Sequence, residues 1–490
     1  MTLPGPKTIE PKRDFWTFRC CLIAGGALLG VALFIVLNGE LNADEGFYLL
    51  ASKLVHDGYR PYRDFGFTQT PLLPYANLPW LEVFGYSLQG QRLSSLAWAT
   101  LTVGAGIWWL RRYFSWLPAL LFVVALLGSP AWVAFAVKGK TYAFAGLWVL
   151  LGMTALLGED RIWRRWGGFV VAAGLAIGAR LPAAAFFVPA GFCFLAFIPS
   201  WKRRSLALGI AFLAAVGELY FAIADSPQNF IFWTLQFHHD VQLRFELLAR
   251  MRDVVAFAPG IWVAAIIALL WLWKVRQRRA IAALGCLLGA AVINLSASSS
   301  FAEYVTPFLP ALALVASPAI SHWLTSRAEW GRKVVVLFVL LAGWFFPPVL
   351  TPGILGQASE AAGFLRNSLP PHARVVTSMA EVAVEAGTSV DPLLAMGKYG
   401  VTEDIPEDVA RRRRLATPTT LLELVTDPQS KAVIFSRYSD WNFSTSVPSY
   451  HAISARAQLA LAARIRRDYS PAFINDAYLI YLRNDITRVP

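Results

Sequence analysis

Eleven apolar stretches divide the first 350 residues, and each approaches the length of a membrane helix. A span needs about 20 mostly apolar residues. The stretches lie at 19–37, 92–110, 116–136, 141–158, 166–179, 182–199, 205–224, 255–273, 280–297, 304–321 and 333–350. A single soluble core does not accommodate so many. Composition agrees, with 56% hydrophobic and only 15% charged residues; soluble domains average about 45–50% and about 25%. The same numbers exclude intrinsic disorder. The expected fold class is a polytopic α-helical membrane protein with about eleven transmembrane helices. Segment 166–179 is short enough to be tilted or partly re-entrant. Segment 71–86 carries Pro71, Pro74, Pro79 and Glu82, and reads as a broken helix lying at the membrane face.

The formal net charge is +13, but its distribution argues against nucleic-acid binding, which needs a basic stripe on a soluble face. Place the N-terminus in the cytoplasm. The inside segments then hold 19 basic and 5 acidic residues, and the other positions of the membrane region hold 10 and 12. The tail from residue 351 is nearly neutral, with 15 and 14. The basic excess is thus a topology signal. Residues 19–37 lack a signal-peptide cleavage pattern and read as an uncleaved first span. Eleven spans put the C-terminus outside. The expected location is the cytoplasmic (inner) membrane, multi-pass, with an extracytoplasmic tail.

At Thr351 the composition changes. Charges become frequent, and Pro370-Pro371 signals a turn. Short β-type runs occur at Arg374–Thr377, Ala432–Phe435 and Tyr478–Leu482, with helix-like stretches at Ala358–Asn367 and Ser454–Arg467. The expected organisation is a membrane region at 1–350 and a soluble α/β domain at 351–490. The run Arg411–Arg414 reads either as a solvated loop or as a contact for anionic lipid or a polyanionic acceptor. Cys20, Cys21, Cys193 and Cys286 lie in or beside apolar runs and form no metal-ligand spacing.

The chemistry-bearing stretch is the first outer loop, 38–91. It reads Asn42-Ala43-Asp44-Glu45-Gly46-Phe47-Tyr48, then Tyr59-Arg60-Pro61-Tyr62-Arg63-Asp64-Phe65, then Gln69-Thr70-Pro71-Leu72. Phe47, Leu50, Leu54 and Val55 fall at helical spacing, so 44–57 reads as an amphipathic helix on the outer membrane surface. Asp44 is placed to N-cap it. The alternative is that a carboxylate at the bilayer surface acts as a general base towards an acceptor hydroxyl or amine.

An Asp-Glu pair after the first span, an amphipathic helix, a Pro-Tyr-x-Asp element and a Gln-x-Pro-Leu run together resemble the GT-C integral-membrane glycosyltransferases. The pattern is most similar to glycosyltransferase family 39, the protein O-mannosyltransferases and the lipid A aminoarabinose transferases. Thr70-Pro71 stands where related members often have Pro-Pro. The resemblance implies a polyprenyl-phosphate sugar donor, an active site on the non-cytoplasmic face, and a base carboxylate that maps onto Asp44 with Glu45 beside it. Some GT-C enzymes use a D-x-D metal site. This chain has Asp44-Glu45-Gly46, which argues against a required divalent metal without excluding one, and no metal ligands are assigned.

On this reading Lys138, Lys140, Arg180 and Arg63 are candidates for the donor phosphate, since cations at the outer face are less expected than inside. Snorkelling at the interface is the plainer account of each. Tyr62, Asp64, Gln69, Arg92, His238, His239, Arg244, Glu303 and Tyr304 are candidates for donor or acceptor contact. The two histidines lie in the second long outer loop, 225–254. Adjacent residues on a helix face apart, so they do not suggest metal. Glu218 lies near the outer end of its span. The expected acceptor is lipid A, an envelope glycan, a glycolipid or a protein, and direct displacement would invert the anomeric centre. The competing reading is a lipid or glycan transporter or flippase without chemistry. Such folds show repeated halves and polar groups at the bilayer midplane; neither is clear here, and the polar residues cluster in outer loops.

Overall fold

The computed structural model describes residues 11–158, 161–224, 226–237, 247–296, 301–325, 330–437 and 453–486. The chain opens with a long helix, α1 (Pro11–Asn38), then α2 (Glu45–His56), α3 (Leu72–Phe84) and α4 (Leu88–Tyr113). Helices fall in all eleven apolar stretches. Among the described residues, three are long and apolar enough to cross a membrane: Phe15–Asn38, Leu88–Tyr113 and Ala302–Thr325. Counting each sharply bent helix pair as one span raises the number to five. Tyr142–Leu157, Leu181–Ala196 and Val336–Phe345 are shorter apolar helices.

The bends have local causes. The stretch 116–136, expected to be continuous, splits into Trp116–Leu127 and Pro130–Val137, which meet at 79°. Gly128 and Ser129 end the first helix, and Pro130 can begin a helix but cannot continue one. Leu248–Phe257 meets Pro259–Lys274 at 91°, again with a proline in the first turn of the second helix. Gly128 also lets another element approach. A Cβ there would lie 1.8 Å from the Leu340 carbonyl oxygen, and one on Gly343 would lie 2.3 Å from the Gly128 oxygen. The Trp344 indole donates to the Leu127 carbonyl at 2.9 Å.

Two expectations for the first loop change. Residues 72–84 form one helix despite Pro79, not a broken one. Helix α2 is not a surface helix: Glu45 to Ser52, Leu54 and Val55 are all buried. It is enclosed by α3 and α4 and by the helix Ala380–Glu385 of the C-terminal region. Apolar residues at helical spacing predict one buried face, and the second face is covered by chain more than 300 residues later.

The C-terminal region forms a five-stranded sheet in the order β2-β1-β3-β5-β4. The strands are β1 (Arg374–Thr377), β2 (Ser389–Val390), β3 (Ser430–Ser436), β4 (Tyr469–Ile474) and β5 (Tyr478–Arg483). β1 runs parallel to β2 and β3, while β5 is antiparallel to β3 and β4. Buried Val375 and Val376 of β1 and Val433 and Ile434 of β3 make the sheet core. One apolar cluster joins this sheet to the first outer loop, including Phe47, Leu50, Phe65 and Phe67. The loop that carries Asp44 is therefore packed against both α4 and the sheet region.

Candidate active site

The site starts with how the loop after α1 is tied down. Arg92, in the second turn of α4, is 1% exposed. It donates through Nε and Nη2 to the two oxygens of Glu45, both at 2.8 Å. Its remaining bonds go to the carbonyls of Val36, Gly39 and Glu40, each at 3.0 Å. All five guanidinium donors are used, and they close the carbonyl end of α1. Glu45 is fully buried. It also accepts the Asn42 N–H at 3.0 Å and the Gly139 N–H at 3.1 Å. Burial would raise its pKa, but Arg92, Lys138 and the Asn42 N–H outweigh burial and hold the carboxyl below its ordinary range. A carboxylate so saturated cannot take a proton from an acceptor. Glu45 and Arg92 are thus fully engaged with each other and with backbone groups.

Asp44 differs from its neighbour. It occupies the N-cap position of α2, yet its side chain makes no capping bond and its backbone is already helical (φ −83°, ψ −21°). Asn42 takes over the local turn instead, accepting the Asp44 N–H through Oδ1 at 3.0 Å. The freed Asp44 carboxylate is 27% exposed and pairs with Lys140 Nζ at 2.8 Å. Lys140 Nζ also lies 3.2 Å from Glu303. Burial would lower the Lys140 pKa; Asp44, Tyr142 and Glu303 overcome this and raise it well above the usual lysine range. The ammonium therefore stays charged between two carboxylates.

The Lys138-Gly139-Lys140 turn is what delivers both lysines. Glu45 holds its central N–H, and Gln91 Nε2 donates to the Gly139 carbonyl at 3.2 Å. A Cβ on Gly139 would lie 2.3 Å from Gln91 Cγ, so the approach needs glycine. Lys138 is 8% exposed and sits over the Phe135 ring at 4.5 Å. Burial, and then the charge of Lys140, push its pKa down against the pull of Glu45. An arriving anion would relieve both costs. Arg180 follows the helix Ile162–Ala179 in extended backbone. Its guanidinium lies between the rings of Tyr142 and Tyr304, at 4.7 and 4.8 Å, and donates to Thr141 Oγ1 at 3.3 Å. Neither Lys138 nor Arg180 has a carboxylate within 4 Å among the described residues. Asp44, Lys138, Lys140, Arg180, Glu303 and Tyr304 thus come together from well-separated parts of the chain.

The other expected residues lie elsewhere. Tyr62 is buried with φ 66°, and its hydroxyl donates to the Gln69 carbonyl at 2.5 Å. It and the Gln69 backbone brace the loop. Arg63 forks onto Asp64, which also accepts the Arg60 N–H at 2.8 Å. Burial would raise the Asp64 pKa, and these bonds pull it below normal. Of the two, Arg63 lines a different cleft. His238, His239 and Arg244 lie outside the described residues, as does the side chain of Glu218. Sequence reasoning missed Asn42, Gln91, Tyr142 and Gly139. Only the Lys-Gly-Lys turn between two apolar runs carried a visible signal.

The place between Asp44 and Glu303 is filled by the Lys140 ammonium, and no group of three or more His, Cys, Asp or Glu residues clusters among the described residues.

No family model and no curated protein sequence matches the chain. Solved structures do. ArnT from Cupriavidus metallidurans bound to undecaprenyl phosphate matches with TM-score 0.63 and 13% identity, over 96% of this chain and 98% of that one. The same protein in the apo state gives 0.63 and 16%, over 93% and 96%. The archaeal oligosaccharyltransferase AglB from Archaeoglobus fulgidus, in complex with an inhibitory peptide and a dolichol-phosphate, gives 0.50 and 12%, over 97% and 75%. At these identities the likeness is one of fold, and the fold of this chain is GT-C-like.

Proposed function

We propose that the protein is a membrane glycosyltransferase that moves a sugar from a polyprenyl-phosphate donor to an acceptor on the non-cytoplasmic face. The observation that carries this reading is the partly exposed Asp44 carboxylate, free of capping, set beside three buried cations of which two have no carboxylate partner among the described residues. Asp44 accepts the proton of the acceptor hydroxyl or amine. The acceptor oxygen or nitrogen then bonds to the anomeric carbon as the bond from that carbon to the phosphate oxygen breaks. The bonding pair leaves with the polyprenyl phosphate, whose negative charge is met by Arg180 and Lys138. A single displacement inverts the anomeric centre. Lys140 holds Asp44 in place and fills the position a metal would need, so the reaction proceeds without a divalent cation.

The prenyl chain has a route. An apolar groove of about 260 Å³ is lined by Phe169, Ile177, Phe187 and Phe192. Ile177 lies on the helix that leads into Arg180, so a phosphate at Arg180 could trail its chain into the groove. Two proteins with the same fold were solved with undecaprenyl phosphate and with a dolichol-phosphate, which supports this class of donor. The acceptor we propose is a lipid, lipid A among the candidates, ahead of an envelope glycan or a protein.

The test is turnover by purified protein in liposomes, read as release of free polyprenyl phosphate from a panel of polyprenyl-phosphate sugars with crude envelope acceptors. Wild type should release it, with EDTA leaving the rate unchanged. Asp44→Asn should fall by roughly 10²–10⁴-fold with equal folded protein. Retained turnover in Asp44→Asn would remove the base assignment. Silence from every donor alongside lipid flipping in the same liposomes would favour transport.

A further inference from the structure

The run Arg411–Arg414 does not project freely into solvent. Arg411 and Arg412 end the short helix Glu407–Arg412, and Arg414 follows with φ 61°. Two side chains from the segment 227–236 pin the backbone of the run. Asn229 Nδ2 donates to the Arg412 carbonyl at 2.9 Å and to the Tyr62 carbonyl at 2.9 Å. The Trp233 indole donates to the Arg413 carbonyl at 2.8 Å. Trp233 is fully buried, and a Cβ on Gly66 would lie 2.2 Å from its ring. The arginine run, the segment 227–236 and the first outer loop are therefore locked together at one point.

What they enclose is a cleft of about 880 Å³. Among the described residues five arginines line it, Arg63 and Arg411 to Arg414, and no acidic residue does; Arg63 is itself paired with Asp64 at 2.8 Å, a carboxyl that the charge of Arg414 also reaches. Their charges are not equally spent. Arg411 is paired with Glu407 and Glu423, and Arg412 with Asp408. Arg413 lies over the Phe232 ring at 4.6 Å. Among the described residues, the buried Nε of Arg414 has no hydrogen-bond partner. Neither Arg413 nor Arg414 has a carboxylate within 4 Å among the described residues. A buried guanidinium donor left open costs stability unless something fills it, and a planar fork of this kind suits phosphate oxygens.

The rest of the lining narrows the ligand. Ile231 lines the cleft and is 45% exposed; Leu235, one turn on, is 51% exposed. The preceding helix Trp201–Ile223 ends with Tyr220 and Phe221 exposed. Open guanidinium groups beside an exposed apolar helix edge match an amphiphile with an anionic head, more than a soluble polyanion that would leave the apolar edge wet.

We infer that this cleft binds the phosphate-bearing head group of a lipid, with Arg413 and Arg414 on the phosphate and Ile231 at the apolar edge. That this lipid is the acceptor rests on the transferase reading above; the binding itself does not. The cleft is separate from the Lys138, Lys140 and Arg180 cluster, so donor and acceptor phosphates would have distinct cations.

The experiment is equilibrium binding to the full chain in neutral detergent micelles, with phosphatidic acid as probe, phosphatidylcholine as control and inorganic phosphate as competitor. Wild type and Asp44→Asn should bind phosphatidic acid alike and at least ten-fold tighter than Arg413→Gln/Arg414→Gln, and phosphatidylcholine should show no such difference. Arg413→Lys/Arg414→Lys should recover part of the loss. Should the double glutamine variant not fold, each single variant should still weaken binding several-fold. Equal binding by folded wild type and glutamine variants overturns the proposal. Inorganic phosphate binding the arginines as tightly as phosphatidic acid overturns the lipid source and keeps only an anion site. Turnover is measured in parallel. Failure of wild-type turnover with arginine-dependent binding intact counts against the transferase and not the cleft; turnover without arginine-dependent binding counts against the cleft alone.

Discussion

Asp44 and Glu45 are adjacent carboxylates whose fates diverge because of their partners. Glu45 points inward to a five-donor arginine and two backbone N–H groups, while Asp44 points to a lysine and keeps partial access to solvent. Their substitutions should therefore separate by readout. Glu45→Gln breaks a buried ion pair and leaves Arg92 without its counter-charge, which typically costs about 3–5 kcal/mol. Its thermal midpoint in detergent should fall clearly, with turnover lost in proportion to folded protein. Asp44→Asn should keep its midpoint near wild type while turnover collapses. An unchanged midpoint for Glu45→Gln would return that residue to the catalytic candidates. The Asp-Glu pair was legible in the sequence as the place to look. The resemblance already pointed to Asp44 over Glu45, but the physical reason was hidden, because it lies with Arg92 and Gly139, 47 and 94 positions beyond Glu45.

At the scale of elements, hydrophobic patterning located the helices, and the strands β1, β3 and β5 were visible as β-branched and aromatic runs. Missed were β2, a two-residue strand, and β4, whose sequence Tyr-Ser-Pro-Ala-Phe-Ile contains a proline. β4 stands at the sheet edge, where proline is tolerated. The bend at Gly128-Ser129-Pro130 was equally hidden inside an unbroken apolar run. Its role can be tested through the close backbone approach at Leu340 and Gly343. Gly128→Val places side-chain atoms where the Leu340 carbonyl sits, so Val336–Phe345 must shift away. Overpacking of this kind costs about 1–3 kcal/mol. The expected outcome is a lowered midpoint and faster protease cleavage after residue 345, where the sheet region begins to separate from the helices. Gly25→Val is the control, since nothing lies within 4 Å of a Cβ there, and it should behave as wild type.

For the whole molecule the decisive feature is the contact between the first outer loop and the C-terminal sheet region, which no local pattern in either segment announces. Its centre holds a buried carboxyl. Glu381 is 1% exposed; one oxygen accepts the Tyr478 hydroxyl at 2.9 Å and the other has no hydrogen-bond partner among the described residues. A Cβ on Gly46 would lie 2.3 Å from that second oxygen, so the group is pressed against the start of α2. Burial is the main cause that raises its pKa, to about 7 from 4.5, with Glu45 and Glu385 adding to it against the Tyr478 bond. Arg92 faces the same region but is neutralised by Glu45. For an acid whose folded pKa is raised, the folded state binds the extra proton, so stability falls as pH rises through the window from 4.5 to about 7. The shift corresponds to roughly 3 kcal/mol between the two limits. Wild-type protein in detergent should therefore lose thermal stability between pH 5 and pH 8 by more than Glu381→Gln, which cannot ionise. The two melting curves should converge near pH 5 and separate at pH 8, with the variant the more stable. Parallel curves across that range would mean that Glu381 keeps its charge at the interface, and that the first loop is held to the sheet by packing alone.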